Sequence, residues 1–207
     1  MLTTARLVAR RLAPGDDPRF LALHRDREVV YWLDPDDPNE VTEADNRDWL
    51  ERHLRRWDEA GFGLYAVFEG PSESVRRPAV TYPAGLVDSG THGGTPPSGA
   101  GAIDESRFVG RASLSTVPDD VAELTDSSGA VELGYAFARA AWGQGYATEI
   151  GRRLLEVARD DLGLAEVVAY AMVDNVRSRR VLERLGFVYR CEFLHDGAQD
   201  IFYRLTF

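Results

Sequence analysis

A glycine-rich turn, Trp142-Gly-Gln-Gly-Tyr-Ala147, limits the fold of this chain more than any other segment. It directly follows residues 131–138, which alternate between apolar and polar side chains as a half-buried strand does. It opens a stretch, 148–162, with apolar residues at helical spacing, which Gly163 closes. A strand, a glycine turn and a helix in this order are typical of α/β and α+β folds.

The same turn has the chemistry of an anion site. Glycines allow the backbone to approach an anion, and the free N–H groups of the first helical turn point towards it, aided by the helix dipole. We expect a pyrophosphate here, because the other phosphate motifs fit less well. The lysine of G-x-x-x-x-G-K-[ST] is absent, and Thr148 stands where G-x-G-x-x-G needs its last glycine. The alternative is an ordinary strand–helix turn without a ligand.

Further strand and helix patterns surround this unit. The strand patterns cover residues 5–12, 62–68, 108–117, 165–173, 187–194 and 199–207. The helix patterns cover residues 20–32, 42–61 and 175–186. Asp196-Gly197 is a favoured two-residue turn and predicts a hairpin between the last two strands. The order of elements predicts an α/β (α+β) fold with a single sheet.

Residues 70–106 differ in character from the rest of the chain. Pro, Gly, Ser and Thr dominate there, although residues 80–87 have a short strand pattern. The stretch has too little apolar content for a core of its own. We therefore predict one domain, 1–207, with a loop insertion that is either a mobile linker or a functional lid.

Charge and composition exclude several classes of function. The formal net charge is −10, which argues against nucleic acid as the main partner and is compatible with a cationic amine, although acidity can also serve solubility alone. No apolar run is long enough for a membrane span or a signal peptide. The single cysteine, Cys191, allows no internal disulfide, and its strand context predicts a buried structural residue rather than a nucleophile. We expect a cytoplasmic protein with no membrane partner.

Four segments occur together in a specific order: Val131-Glu-Leu-Gly-Tyr-Ala-Phe137, Trp142-Gly-Gln-Gly-Tyr-Ala-Thr-Glu149, Asn175-x-x-Ser178 and Leu185-Gly-Phe187. This combination resembles the GNAT superfamily of N-acetyltransferases, and within it the RimJ/RimL-like branch, whose namesakes acetylate the N-termini of ribosomal proteins. The resemblance extends from Ala5 to the end, except for the insertion. One departure is Trp142, which occupies the first position of the pattern Q/R-x-x-G-x-G/A. The resemblance implies a mixed, mostly antiparallel sheet, acetyl-CoA as co-substrate and no metal.

The resemblance also implies which residues hold coenzyme A. The backbone of Ala136 and Phe137 would pair with pantetheine like an added strand. Asn175 would hydrogen-bond pantetheine where the two central strands part, and Arg180, with Arg177 or Arg179, would approach the phosphates unless these arginines form a solvated helix face. The turn would contribute its residues, mainly through backbone amides to the pyrophosphate: Trp142, Gly143, Gln144, Gly145, Tyr146, Ala147 and Thr148.

For each catalytic role the sequence offers a candidate residue, and each candidate also has a structural explanation. Acetyl transfer needs a base for the ammonium group, and Glu132 is our candidate, although a mid-strand glutamate can also be an ordinary solvent-facing residue. A backbone amide of the same strand would stabilise the oxyanion. Many superfamily members use a tyrosine to protonate the leaving thiolate, but Leu182 stands at that position here. Ser178 is the substitute candidate unless it only caps the helix. Lesser candidates are Tyr170 and Glu192.

Trp32 and Asp34 are the predicted acceptor-binding residues. They begin a loop between the first two helices that borders the acceptor site in this family, and the loop also contains Asp36. Acidic groups there would attract an amine, whereas Asp beside Pro is also common turn chemistry.

The predicted activity is transfer of an acetyl group to a primary amine, either a small molecule or a peptide N-terminus. A homodimer is a possible assembly. One alternative is a catalytically silent, CoA-binding regulatory protein on the same fold. Another is an unrelated phosphate-binding α/β domain, which requires the Asn175 and Leu-Gly-Phe pieces to be accidental.

Overall fold

The computed structural model describes residues 1–33, 41–70 and 103–207. Within these ranges, one sheet of eight strands is flanked by six α-helices. The predicted strand at 80–87 and the Asp34 loop lie outside the described residues. The predicted insertion falls between two strands that pair with each other in the sheet.

The strands follow the predicted patterns closely, with one short addition at the N-terminus. Their bounds are β1 (Leu2–Thr3), β2 (Leu7–Arg11), β3 (Leu64–Glu69), β4 (Phe108–Thr116), β5 (Val131–Phe137), β6 (Glu166–Met172), β7 (Val188–His195) and β8 (Ala198–Thr206).

Helices α3 (Glu43–Ala60) and α6 (Val176–Leu185) begin and end at recognisable capping residues. Thr42 and Asp45 form a reciprocal capping box, Asn175 Oδ1 accepts from the Ser178 amide, and Gly61 and Gly186 end their helices in the left-handed conformation. The bounds are α1 (Asp17–His24), α2 (Arg27–Val30), α3 (Glu43–Ala60), α4 (Asp119–Thr125), α5 (Tyr146–Glu156) and α6 (Val176–Leu185).

The sheet has the order β1-β2-β3-β4-β5-β6-β8-β7, and its strand pairs are antiparallel except for β5 with β6. The prediction of a single mixed, mostly antiparallel sheet is therefore confirmed. The predicted hairpin is also present, because Asp196 and Gly197 both have positive φ between the paired residues His195 and Ala198.

Alternation along the strands divides the core between the two faces of the sheet. On β3, Tyr65 and Val67 belong to the larger apolar cluster, which also contains residues of α5 and α6. Leu64, Ala66 and Phe68 belong to a second cluster with residues of α1 and α3. Helix α4 packs on a third cluster against β6, β7 and β8. No helix among the described residues is long and apolar enough to cross a membrane.

The structure corrects three expectations about the helices. The predicted helix at 20–32 is two helices, because Asp26 has an extended backbone and caps α2 through the Glu28 amide. Helix α5 begins at Tyr146, two residues before the predicted start, and its last turn, Val157–Asp161, is a π-helix. Helix α4 was not predicted, because its seven residues are too few for a clear helical period.

Candidate functional site

The sheet opens between β5 and β6, its two parallel central strands. These two strands are joined at one residue pair, Glu132 with Val168, although β5 continues to Phe137 and β6 to Met172. Beyond that pair the strands diverge, and the gap leads into a cavity of about 890 Å³ that both strands line. Glu132 therefore lies at the vertex of a V-shaped cleft.

Strand register decides which backbone groups of β5 face this cleft. The Ala138 amide donates to Val109 O, so Ala138 and, by alternation, Ala136 direct their polar groups towards β4. The intervening residues, Tyr135 and Phe137, direct theirs towards the opened side. The Phe137 carbonyl accepts from Trp142 Nε1 at 2.7 Å. The free backbone groups in the cleft are therefore those of Tyr135 and the Phe137 N–H, and Ala136 contributes to the cleft by its position rather than its backbone hydrogen bonds.

The glycine turn forms one side of the cleft. Gly143 and Gly145 have φ of 76° and 79°, a conformation that glycine adopts without strain. A Cβ built at Gly143 meets nothing within 4 Å, so the surface above the turn is open. No side chain caps α5, which leaves the N–H groups of Tyr146, Ala147 and Thr148 directed at this space. The turn therefore fits the phosphate group predicted for it.

Three turn residues have structural contacts of their own. The Trp142 indole braces the turn against the end of β5, as its bond to Phe137 shows. The Gln144 carbonyl accepts from Arg6 Nη1 at 2.9 Å. The Tyr146 hydroxyl donates to Glu69 Oε1 at 2.6 Å, so that side chain is directed away from the cleft. Tyr146 thus offers a ligand its backbone and not its side chain, and the Gln144 carbonyl is occupied by Arg6.

Helix α6 brings Asn175 and several arginines to the same side of the cleft. Asn175 Oδ1 caps the helix and the residue lines the cleft, while no described residue accepts a hydrogen bond from its Nδ2 group. Arg177 stacks 5.1 Å from the Trp142 ring, and Arg180 lines the cleft with it. Arg179 is directed elsewhere, because its guanidinium donates to Val173 O. We call the glycine turn with Asn175, Arg177 and Arg180 the turn side of the cleft.

Glu132 is half-buried, and its side chain lies on the face of the sheet opposite to Tyr135. Its carboxylate accepts from Ser115 Oγ at 3.0 Å and from the Tyr170 hydroxyl. Burial raises the pKa of Glu132 above its ordinary value, an effect that these hydrogen bonds and the charge of Arg111 oppose. The same carboxylate adds to burial in raising the pKa of Tyr170, which therefore stays protonated.

Ser178 is paired with a tyrosine that the sequence reasoning did not select. The Tyr135 hydroxyl lies 2.8 Å from Ser178 Oγ, and both residues line the cleft. Burial raises the pKa of Tyr135 to about 12, so the hydroxyl stays protonated at neutral pH. Leu182, at the position of the family tyrosine, is fully buried in the core.

Glu132 and Tyr170 share their side of the cleft with three further polar residues: Arg111, His195 and Asp200. We call these five residues the acidic side. Arg111 lies over the Trp49 ring at 5.4 Å, and its Nε is buried without a hydrogen-bond partner among the described residues. Burial lowers the pKa of Arg111 to about 10, which still leaves it charged at neutral pH.

The remaining predicted residues are placed as follows. Trp32 lines the cleft and stacks edge-on with Tyr31 at 4.8 Å, whereas Asp34 lies outside the described residues. Glu192 is exposed on β7 and does not line the cleft. Cys191 is half-buried. Among the described residues, no group of three or more His, Cys, Asp or Glu side chains is arranged to hold a metal ion.

Sequence reasoning missed Tyr135, Arg111 and Asp200 as cleft residues. Tyr135 lies inside a recognised motif, and its position three residues after Glu132 places it on the other face of the strand. The sequence motif therefore contained enough information to select Tyr135. Arg111 and Asp200 had no local signal, because only the order of strands brings β4 and β8 to the two walls of the cleft.

Comparison with known proteins agrees with this fold. Residues 6–188 match the family model described as "Acetyltransferase (GNAT) domain". The chain belongs to this GNAT acetyltransferase family. A curated relative from Aspergillus fumigatus, described as FsC-acetyl coenzyme A-N(2)-transacetylase, is 35% identical over 85 residues, which are 41% of this chain. The match spans only 36% of that relative's length.

Solved structures share the whole fold. A protein from Bordetella pertussis, described as belonging to the GnaT family, superimposes with a TM-score of 0.70 and 21% identity over 98% of this chain and 97% of its own. A RimL protein, described as a ribosomal L7/L12 alpha-N-protein acetyltransferase in complex with coenzyme A, has a TM-score of 0.66 and 14% identity over 99% and 95%. At these identities the likenesses establish the fold and do not distinguish the RimJ/RimL-like branch.

Proposed function

We propose that this protein is an acetyl-CoA-dependent N-acetyltransferase that transfers an acetyl group to a primary amine by direct attack of the nitrogen on the thioester. The observation that carries the proposal is that a single cleft contains both a site suited to phosphate and a carboxylate suited to accept a proton. An uncapped glycine turn with arginines forms one side, and a half-buried carboxylate lies at the vertex. Membership of the family supports the acetyl donor, and two of its relatives are described as transferring acetyl groups to nitrogen.

The turn side would hold the donor. Amides from Gly143 to Thr148 would bind the pyrophosphate, with Arg177 and Arg180 nearby as compensating charge. Asn175 Nδ2 would donate to a pantetheine carbonyl. On β5, Tyr135 and the Phe137 amide would pair with pantetheine as an added strand does. This assignment moves the backbone pairing from Ala136 to its neighbours, because the polar groups of Ala136 face β4.

Glu132 would act as the general base. Acetyl-CoA, when bound, supplies the acetyl group as an activated thioester. The attacking nitrogen must first lose its ammonium proton, and a carboxylate whose pKa is raised by burial is a better acceptor of that proton than an exposed one. Ser115 and Tyr170 hold the carboxylate in position. A backbone amide of β5 that faces the cleft would stabilise the negative charge that develops on the thioester carbonyl oxygen.

Tyr135, positioned by Ser178, would assist the leaving group. Its raised pKa makes full proton transfer to a thiolate unfavourable, since thiols have ordinary pKa values near 8.5. The hydroxyl would instead donate a hydrogen bond that stabilises the thiolate. This role replaces the predicted role of Ser178, whose hydroxyl orients Tyr135.

The experiment has two stages on the purified full-length chain. In the first, thermal unfolding is measured with and without millimolar acetyl-CoA. A ligand that binds only the native state stabilises it by about 2.7 kcal/mol at 100 times its Kd, so the melting temperature should rise by several degrees. In the second, release of free CoA is followed with a panel of peptide N-termini, alkylamines and aromatic amines, against a blank without amine.

Each outcome separates the candidate functions. Amine-dependent CoA release supports the transferase and identifies the acceptor class, including the protein N-termini expected of a RimJ/RimL-like enzyme. A thermal shift without release for any amine supports the silent CoA-binding regulator. No thermal shift would remove the basis of both.

A further inference from the structure

Asp200 is a buried carboxylate on the acidic side of the cleft that has no hydrogen-bond partner among the described residues. It lies near the start of β8, opposite Met172 of β6, and its side chain is only 8% exposed. No described residue donates a hydrogen bond to it, and its nearest charged neighbour is His195 Nδ1 at 3.9 Å. Its side chain lines the same cavity as Glu132.

An ionised carboxylate that is buried without a hydrogen-bond donor is unfavourable unless a positive charge lies close to it. Burying a charged group without hydrogen bonds is costly, so a fold usually supplies a partner or leaves the oxygens open to a cavity, as it does here. Here burial raises the pKa of Asp200 to about 6, with Asp196 adding to the effect and His195 opposing it. At neutral pH Asp200 is therefore mainly ionised, and among the described residues only His195 lies within ion-pairing distance of it.

The surroundings of Asp200 favour an organic cation. From β7, His195 approaches Asp200, and its Nε2 lies 3.2 Å from Asp120 of α4 and 3.5 Å from Asp196 of the hairpin turn. From β6, Tyr170 stacks edge-on with His195 at 6.2 Å. Carboxylates beside aromatic rings form a suitable environment for an ammonium group.

Asp200 and the predicted base, Glu132, lie at different levels along the sheet. Glu132 is level with Val168 on β6, whereas Asp200 is level with Met172, four residues further towards the open end of the cleft. Four residues of strand correspond to roughly 13 Å between the two levels. Arg111, the cation of the acidic side, lies on the opposite wall, on β4. Asp200 can therefore contact a part of the acceptor remote from the reacting nitrogen.

We propose that Asp200 binds a second cationic group of the acceptor, which makes the preferred substrate class an amine with two positive charges. The reacting nitrogen lies at Glu132 and the second ammonium or guanidinium group at Asp200. An alkyl diamine has this form, and so does a peptide N-terminus with a basic side chain nearby. This inference rests on the proposed function, because it assigns the two ends of that acceptor.

The test compares diamines with monoamines of the same chain length in the presence of saturating CoA. The probes are 1,8-diaminooctane against octylamine and 1,10-diaminodecane against decylamine, because only chains of this length approach the separation between the two levels. Kd is measured by calorimetry so that turnover is not required. We expect the wild-type protein to bind each diamine at least about tenfold more tightly than its monoamine. Asp200→Asn should bring the two affinities together while leaving the monoamine Kd unchanged. Asp160→Asn, which removes the same charge from an exposed site on the far end of α5, should retain the preference.

A pH series adds a readout that a purely structural role would not move. The ratio of monoamine to diamine Kd should fall as the pH drops below about 6, because Asp200 becomes protonated. Glu132 contacts the nitrogen common to both ligands, so its titration cancels in the ratio. His195 of β7 and Asp196 of the hairpin turn are the titratable groups that act on Asp200.

Three results would overturn the inference. These are equal affinities in the wild-type protein, a diamine preference that persists in Asp200→Asn, and no measurable binding of any diamine. A folded Asp200→Asn variant is verified by its melting curve, and Asn has nearly the same size as Asp. The acetyl-CoA thermal shift and the release of CoA with monoamines test the proposed function separately, so a failure here leaves that function standing.

Discussion

Glu132 illustrates how a single residue acquires its properties from its neighbours. Its place in a strand motif indicated a cleft residue, but the depth of burial and the hydrogen bonds from Ser115 and Tyr170 come from β4 and β6. The chemistry proposed for it depends on these contacts. Two predictions at this scale test the proposed base and the proposed hydrogen-bond donor.

Glu132→Gln should retain affinity for acetyl-CoA and lower turnover about 10²- to 10⁴-fold at neutral pH. Gln preserves size and hydrogen bonding but cannot accept the ammonium proton. The defect should shrink as the pH rises, because more of the amine is then already neutral. Glu59→Gln, on the exposed end of α3, is the matched control. A defect of equal size at every pH would give Glu132 a structural role instead.

Tyr135→Phe should lower kcat about 10- to 100-fold, because a hydrogen bond to a charged group contributes about 1.5–3 kcal/mol. KM for acetyl-CoA should change little, since the hydroxyl acts on the departing sulfur. Tyr189→Phe makes the same change on an exposed tyrosine and should have no effect. If Ser178→Ala proves more damaging than Tyr135→Phe, the serine is the donor, as the sequence first suggested.

Among the elements, the glycine turn and α5 form the unit most fully encoded locally. The left-handed conformations of Gly143 and Gly145 and the uncapped helix start are properties of six adjacent residues. Even so, tertiary contacts fix the unit in place. Glu149 in the first turn of α5 accepts from Thr4, and it also pairs with Arg6, which contacts the Gln144 carbonyl.

Gly145→Val should abolish measurable CoA binding while leaving the protein folded. Valine is strained at φ of 79° by about 1–2 kcal/mol, and its branched side chain blocks the approach of the pyrophosphate. Gly163→Val separates the two effects, because Gly163 has the same type of backbone, with φ of 63°, but lies outside the cleft. That control should lose similar stability and keep its affinity for CoA. Retained affinity in Gly145→Val would place the anion site elsewhere.

At the scale of the whole molecule, a polar and aromatic layer joins α1 and α3 to the sheet. Trp49 contacts His24, His53 and Arg111. His24 Nδ1 lies 3.0 Å from Asn46 Oδ1. Burial, reinforced by the charge of Arg111, lowers the pKa of His24 to about 4 and that of His53 to about 3. Both histidines are therefore neutral in the folded protein at neutral pH.

These two pKa values predict a loss of stability in acid. In the unfolded chain each histidine takes up a proton near pH 6.5, whereas in the folded protein it resists protonation until about pH 4 or below. The unfolded state thus binds more protons, and the free energy of unfolding falls as the pH drops below 6.5. At pH 5 the loss should be about 1–2 kcal/mol per histidine.

Urea unfolding at pH 7.5 and pH 5 measures this loss. Replacing both residues, in His24→Gln and His53→Gln together, should abolish the loss, since Gln does not titrate in this range. The opposite effect of Asp200 should remain, because its raised pKa makes the folded state bind more protons at pH 5. A pH dependence that is unchanged in the double variant would show that other groups cause the acid sensitivity.

The sequence by itself determined the elements whose signals are local. The glycine turn, the capping residues Thr42 and Asn175 and the Asp196-Gly197 hairpin act over a few residues, so their patterns can be read directly. The order of motifs also resembled the family to which the chain belongs. The short helix α4 and the break between α1 and α2 escaped this reading, because packing and a single extended residue decide them.

Only the tertiary structure decided which side chains meet in the cleft. The pairing of Tyr135 with Ser178 joins residues 43 positions apart, and Arg111 and Asp200 come from strands on opposite sides of the opening. Their proximity follows from the sheet order and from the separation of β5 and β6 after one paired position. Strand order is set by the combined packing of the whole core, and a local sequence pattern contains no record of it.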